Sequence, residues 1–233
     1  MRRIITLLVL LFIGNTIHAQ GIQLNWVDGF YDENNRSEAH AIQIDDENNS
    51  YVLGNSPDLG SFLDIDPDAD NVSELSSSGI FLAKFNSNGA YLWSVSLGNT
   101  GVFNNSLHGN LALSSNGDVL LVATLSGEVD FDPSNEELII SAPEGMIVLA
   151  SYTSAGELNF VKSFPLSVTG ITGTNAIDID SQGNIFIGGF VMNNGLPIVE
   201  IDFNPGGSDG LLINDSVLTF FIAKFSSSGE FSS

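Results

Sequence analysis

LAKFNSNGAYLW, residues 82–93, decides the fold, because the chain spells it twice more, as LASYTSAGELNF at 149–160 and as IAKFSSSGEFSS at 222–233. The glycines of the three versions, Gly89, Gly156 and Gly229, lie 67 and 73 residues apart. A second marker keeps the same step: Asp64-Ile-Asp-Pro67, Asp130-Phe-Asp-Pro133 and Asp202-Phe-Asn-Pro205. A fixed step of this length belongs to stacked copies of one supersecondary unit, each burying its apolar face on its neighbours. The copies run over residues 27–93, 94–160 and 161–233, approximately, within one repeat domain covering 20–233.

Each copy reads as strands and turns. Ala41-Ile-Gln-Ile-Asp45 and Tyr51-Val-Leu-Gly54 flank a polar turn, and Ala176-Ile-Asp-Ile-Asp180 and Ile185-Phe-Ile-Gly188 repeat that hairpin around Ser181-Gln-Gly-Asn184. Alternation with period two, bounded by Gly and Asn, is the hairpin signature. Phe81-Leu-Ala-Lys-Phe85 predicts a third strand and Tyr91-Leu-Trp93 opens a fourth. No stretch after residue 19 carries a capped apolar stripe of helical period, so the chain is expected to be all-β. Four antiparallel strands per copy make a propeller blade, here a β-propeller-like array of three. Ala83, Ala150 and Ala223 share one position, where a small side chain lets sheets approach, and Trp93 and Phe160 share another, where a large ring fills the gap between them.

The Gly-Asn-Ile-Phe hairpin, the Ile-Phe-Leu-Ala-Lys-Phe strand, the turn before Trp93 and the Asp-Phe-Asp-Pro loop together resemble secreted bacterial β-propeller repeat proteins, the seven-bladed β-propeller repeat group. The likeness covers nearly all of residues 24–233. It implies a propeller fold and an exported protein, and it says little about activity, since one fold carries many functions.

Composition narrows the partners. Arg2 and Arg3, the apolar run Ile4 to Ile13 and the small Ala19 predict a signal peptide over residues 1–19, hence a secreted or cell-surface protein, with a periplasmic location as the other address. Ten apolar residues are too few to span a bilayer, and no later segment approaches that length. The formal net charge of −22 argues against nucleic-acid and anionic-lipid partners, because phosphate binding needs Lys and Arg. With no cysteine, neither disulfides nor zinc–thiolate sites are available.

The two ends are offset by part of a copy. Leu24-Asn-Trp26 matches the fourth strand of a blade whose other strands are missing, and Ser233 falls where Trp93 and Phe160 stand. Propellers close by such an exchange, but three blades fall below the four to eight that complete a ring. The expectation is the front portion of a longer chain; self-association through open blade faces and an open three-blade array are the competing arrangements.

The acidic loop is the candidate site. Asp64, Asp66, Asp68 and Asp70 alternate, and an extended backbone would project them to one side. Asp130 with Asp132, and Asp202 with Asn204, follow in the later copies. Calcium takes six to eight oxygens of the kind these residues supply. The competing reading has each Asp capping its own backbone in a turn, with Pro ending the strand. Ala69 stands where a helix–loop–helix calcium site needs glycine. No catalytic residue is assigned: His40 and His108 share a blade position that Asn175 fills in the third copy, which suggests a structural hydrogen bond. Lys84 and Lys224 read as solvated edge positions. Asn35, Asn71, Asn104 and Asn214 begin Asn-Xaa-Ser sequons. The reading that results is an extracellular interaction or adhesion scaffold, with calcium as its cofactor and a glycan or an extracellular protein as its partner. Its rivals are a propeller lyase or glycan hydrolase with its site at the central funnel, and a purely structural surface module.

Overall fold

Apolar and β-branched residues in short alternating runs favour extended backbone, and turn residues end each run before it can continue. The computed structural model describes residues 38–56, 63–68, 70–75, 79–98, 109–134, 136–167, 171–192, 198–214 and 216–232. The expected signal peptide, Leu24 to Trp26, His108 and the sequons at Asn35 and Asn104 lie outside them. Among the described residues there are fifteen strands and no helix. The all-β expectation holds.

The first copy comprises β1 (Glu38–Ile44), β2 (Ser50–Ser56), the short pair β3 (Leu63–Asp64) and β4 (Glu74–Leu75), then β5 (Gly79–Phe85) and β6 (Tyr91–Gly98). Its main sheet is antiparallel in the order β1-β2-β5-β6. The second copy repeats that order with β7 (Gly109–Leu113), β8 (Val119–Asp130), β9 (Ile139–Tyr152) and β10 (Leu158–Pro165). Here the inserted pair is the far end of one long β8–β9 hairpin, set off by a bulge between Leu125 and Gly127. The third copy has β11 (Ile171–Ile179), β12 (Ile185–Met192), the inserted pair β13 (Val199–Asp202) and β14 (Leu211–Asn214), and β15 (Leu218–Phe225). Its sheet runs β11-β12-β15, and a bridge from Phe225 to Phe231 marks the start of a fourth strand.

Period-two alternation on the third strand of each sheet sends side chains to two different neighbours. Ile80 and Leu82 of β5 join Val148, Ala150 and Tyr152 of β9 in one core. Ile147 and Leu149, on the other face of β9, join Phe221, Ala223 and Phe225 of β15 in the next. The inserted hairpins cover the same side each time: Val129, Phe131 and Ala142 lie in the first core, Val199, Ile201 and Phe203 in the second. Leu63, Ile65 and Leu75 cover Phe81, Ala83 and Phe85 in the same way on the first sheet. Three sheets stacked through two cores make an open array of blades. Each fully buried Leu, Ile or Phe contributes about 1.5–3 kcal/mol, so the cores dominate cohesion.

Two further joints link neighbouring sheets. Along the inner strands, the Gln43 side chain donates to the Leu111 carbonyl at 3.0 Å and Asn110 donates to the Asn175 carbonyl at 2.9 Å. At the turn between third and fourth strands, Gly156 (φ +89°) packs so closely on the Trp93 ring of the preceding sheet that a Cβ would stand 2.9 Å from it. Gly229 meets Phe160 in the same way. The aromatic position read from the sequence as inter-blade filling has that role.

Candidate functional site

The turns that open each copy converge at one end of the array. They comprise residues 45–49, 114–118 and 180–184, between β1 and β2, β7 and β8, and β11 and β12. All three close the same way: Asp45 N–H donates to the Asn49 carbonyl (3.0 Å), Ser114 N–H to that of Asp118 (2.9 Å) and Asp180 N–H to that of Asn184 (3.0 Å). The first side chain of each turn then accepts amides from later in the turn. Asp45 Oδ1 takes Glu47 and Asn49, Ser114 Oγ takes Asp118, and Asp180 Oδ1 takes Gln182 and Asn184. Asp, Asn and Ser suit these positions because a short polar side chain reaches its own backbone two residues on.

Between the turns lies a cleft of about 1000 Å³. Its walls are repeat-equivalent: Ile44, Leu113 and Ile179; Asp45, Ser114 and Asp180; Asp46, Ser115 and Ser181; Glu47, Asn116 and Gln182. Carboxylates, hydroxyls and amides dominate, with an apolar ring at the strand ends. Lys84 lines it as well. The sequence placed Lys84 at a solvated edge; it is instead buried, 6% exposed. Its Nζ donates to the Ser154 carbonyl of the next sheet at 3.0 Å, lies 3.7 Å from Asp45 Oδ2 and sits 4.7 Å over the Tyr51 ring. Trp93 Nε1 donates to that same carbonyl at 3.0 Å. Lys224, half-buried, lies 5.5 Å over Phe186.

Hydrogen bonding sets the protonation of the turn acids. Burial alone would raise the Asp45 carboxyl, but the Asn49 side chain, the amides of Asn49 and Glu47 and the charge of Lys84 together hold it below the ordinary value. Asp180 is lowered chiefly by the Asn184 side chain. Both stay ionised and acceptor-only near neutral pH.

The eight residues singled out as calcium ligands each take part in the hydrogen bonding of their own loops. Extended backbone ends at Asp64, and the following residues form successive turns, so the four acids do not line one side of a strand. Asp64 Oδ1 accepts the amides of Asp66 and Ser73 at 3.1 and 3.0 Å, Asp66 accepts that of Asp68 and Asp68 that of Asp70. Asp130 accepts from Asp132 and Leu138, Asp132 from Ser134, and Asp202 from Asn204. Asn204 Nδ2 donates to Asp209. Among the described residues no three His, Asp or Glu side chains are grouped to hold a metal ion. The Asp132 carboxyl is lowered by the Ser134 side chain first and by its amide second. Burial pushes the Tyr152 hydroxyl up, with the charges of Asp130 and Asp132 adding; it donates to the Phe131 carbonyl at 3.0 Å and anchors the loop to the core.

Other marked residues take structural places. His40, the only histidine among the described residues, bonds Asn55 Oδ1 at 2.8 Å. Asn175 sits at the same position and contributes its carbonyl to Asn110. Asn214 is fully buried, with its Nδ2 donating to the Val191 carbonyl and its Oδ1 accepting from Ser216 and Thr219, so that sequon is not accessible in the folded chain. Sequence reasoning missed the cleft, although aligning the first turns of the copies names most of its wall. No family model and no curated protein matches the chain.

Proposed function

We propose that this chain is an extracellular interaction scaffold that takes its partner at the cleft where the three first-hairpin turns meet. One observation carries the reading: the wall consists of equivalent positions from three repeats, which between them present carboxylate, hydroxyl and amide groups. A repeated wall suits a ligand that itself repeats or offers several similar polar groups, such as a neutral glycan or a basic segment of an extracellular protein. A volume of about 1000 Å³ lies at the upper end of the range for small-molecule sites. The net charge of −22 opposes sulfated or phosphorylated partners and favours neutral or cationic ones. Isothermal titration with neutral oligosaccharides, a sulfated oligosaccharide and a lysine-rich peptide tests this directly. The neutral or basic ligand should bind and the sulfated one should not. Ser115→Trp, which fills the middle of the cleft, should abolish binding, while Ser134→Trp on an acidic loop should leave it intact. Binding that ignores Ser115→Trp, or no binding by any of the three, refutes the proposal.

A further inference from the structure

The two joints that border the cleft are equivalent by repeat, yet only one of them completes its hydrogen bonding. At the joint between the first and second sheets, the Ser154 carbonyl accepts from Lys84 Nζ and from Trp93 Nε1, both at 3.0 Å. A carbonyl has two lone pairs, so that acceptor is complete. The equivalent carbonyl at the next joint belongs to Ser227, and the second sheet sets Ser151 in place of the lysine and Phe160 in place of the indole. Phenylalanine has no donor, and the Ser151 hydroxyl accepts from Asn159 within its own sheet at 3.2 Å. Among the described residues no other donor serves the Ser227 carbonyl. The turn that carries it keeps its place all the same. A Cβ on Gly229 would stand 2.6 Å from Phe160, as one on Gly156 would stand 2.9 Å from Trp93. Ser114, Leu120, Ser151 and Ser227 all line the cleft, so the position that Lys84 fills at the first joint opens into the cleft at the second.

The negative charge of this joint is relocated, not lost. The first turn has an acid at its start and an amide at its end, Asp45 and Asn49; the second has Ser114 at its start and Asp118 at its end. Asp118 lines the cleft. A joint that keeps a free carbonyl, a carboxylate and hydroxyls but lacks the lysine suits a group that only donates, and an alkyl ammonium is such a group. Leu120, where the first sheet has Tyr51, offers the alkyl stem an apolar surface to lie along. Lys84 is sealed in and needs both ring and ion pair, whereas Ser227 is exposed, so an ammonium arriving through the cleft keeps water on its outer side. Resting on the function proposed above, we infer that the joint between the second and third sheets seats a lysine side chain of a protein partner. The partner supplies from outside the ammonium that Lys84 supplies from within. A neutral glycan would bring hydroxyls, which accept as well as donate and gain less from Asp118.

NMR titration of the isotope-labelled full chain reads the seat directly, with three probes: the capped peptide Gly-Gly-Lys-Gly-Gly, its norleucine counterpart and butylammonium. The lysine peptide should bind with a Kd on the order of 1 mM and shift the amides of residues 114–118 and 226–229. It should bind more tightly than butylammonium, and the norleucine peptide should not bind. Asp118→Asn, which keeps the shape of the turn and matches Asn49 and Asn184 of the other two, should weaken the lysine peptide about 10-fold. Ser114→Asp/Leu120→Tyr/Ser151→Lys, the first sheet's own set, closes the seat with an internal lysine and should abolish binding; if that variant does not fold, Asp118→Asn decides alone. Binding of the norleucine peptide as tight as that of the lysine peptide, tighter binding of butylammonium, or an affinity indifferent to Asp118→Asn overturns the inference. If a neutral oligosaccharide binds instead, and Ser115→Trp abolishes it, the lysine seat falls while the cleft stands as the partner's site. If nothing binds, both fall.

Discussion

Adding one methyl group at Gly156 isolates the joint between neighbouring sheets. Two costs apply. The residue has φ +89°, in a region where a side chain costs about 1–2 kcal/mol. Its Cβ would also stand 2.9 Å from Trp93 Cδ2 and 3.1 Å from Cε3. The indole has little room to retreat, because its Nε1 is bonded to Ser154 and its ring packs edge-on against Tyr51 at 6.0 Å between centroids. Overpacking of this kind costs about 1–3 kcal/mol. Gly117 supplies the reference: φ is +86°, and a Cβ there would meet nothing within 4 Å. Gly117→Ala should therefore lose about 1–2 kcal/mol and Gly156→Ala about 2–5 kcal/mol, the difference being the blade contact alone. Equilibrium unfolding in urea reads both, and an excess of that size moves the midpoint by roughly 0.5–1 M. In a Trp93→Ala background the ring is gone, and the two alanine variants should cost the same. Equal midpoints in the wild-type background, or an excess that survives without the indole, would refute packing of this turn on the preceding sheet.

Four other outcomes follow from the geometry. If Asp64 serves to cap its loop, Asp64→Ala should cost about 1–2 kcal/mol by stranding two amides, while Asp64→Asn, which keeps an oxygen acceptor, should cost well under 1 kcal/mol by thermal melting; an Asn variant as damaging as Ala, with a calcium-dependent melt, contradicts capping. Asp45, Asp132 and Asp180 all have folded values below the 3.8 of an ordinary aspartate, so the stability they contribute is whole above that value and is lost as pH falls through the folded values. Melting temperature should therefore hold from about pH 7 to pH 5 and drop below about pH 4, with a smaller drop in Asp180→Asn; an acid melt with no drop contradicts this. Asn214→Ala should cost about 2–3 kcal/mol in urea unfolding, because it removes the side chain that donates to the Val191 carbonyl and accepts from the Thr219 hydroxyl at a fully buried site. Lys84→Ser alone should cost about 2 kcal/mol or more, whereas Asp45→Ser/Tyr51→Leu/Lys84→Ser together, the set found in the second sheet, should cost less than the sum of the singles; strict additivity would show that the three do not act as a unit.

The fold was legible because its determinants are local and repeated. Ile185-Phe-Ile-Gly188 and Phe81-Leu-Ala-Lys-Phe85 announce strands by composition, Gly89, Gly156 and Gly229 announce turns, and the common step says that the pieces stack. The loop acids were legible as turn formers, but their projection to one side of a strand is not found, since alternation in sequence becomes alternation in space only if the strand continues, and here it ends at Asp64. Lys84 was misread for a related reason. A lysine on a short strand looks solvated until the next sheet supplies the Ser154 carbonyl, 70 residues away in the chain. The aligned first turns name most of the cleft's wall, but the opening between them was out of reach, because it depends on the angle at which three sheets fan apart, and no local pattern encodes that angle.

The differences among the copies say as much as their agreement. Where the first sheet has Asp45, Tyr51 and Lys84, the second has Ser114, Leu120 and Ser151, and the third has Asp180, Phe186 and Lys224. The lysine comes with an acid beside it and a ring beneath it, or not at all. The contacts explain the company it keeps: Lys84 needs Asp45 at 3.7 Å and the Tyr51 face at 4.7 Å to offset the loss of water around a buried ammonium. In the second sheet Ser151 accepts from Asn159 instead, and Leu120 joins the apolar core. These positions also line the cleft, from Asp45, Tyr51 and Lys84 through Ser114, Leu120 and Ser151 to Asp180. On the function proposed above, stability would therefore constrain recognition, because one wall group changes together with its packing partners and the cleft's chemistry moves in whole sets. The first wall accordingly carries an ion pair where the second has two hydroxyls and a leucine, a difference that a partner taken at the cleft, as proposed above, would meet.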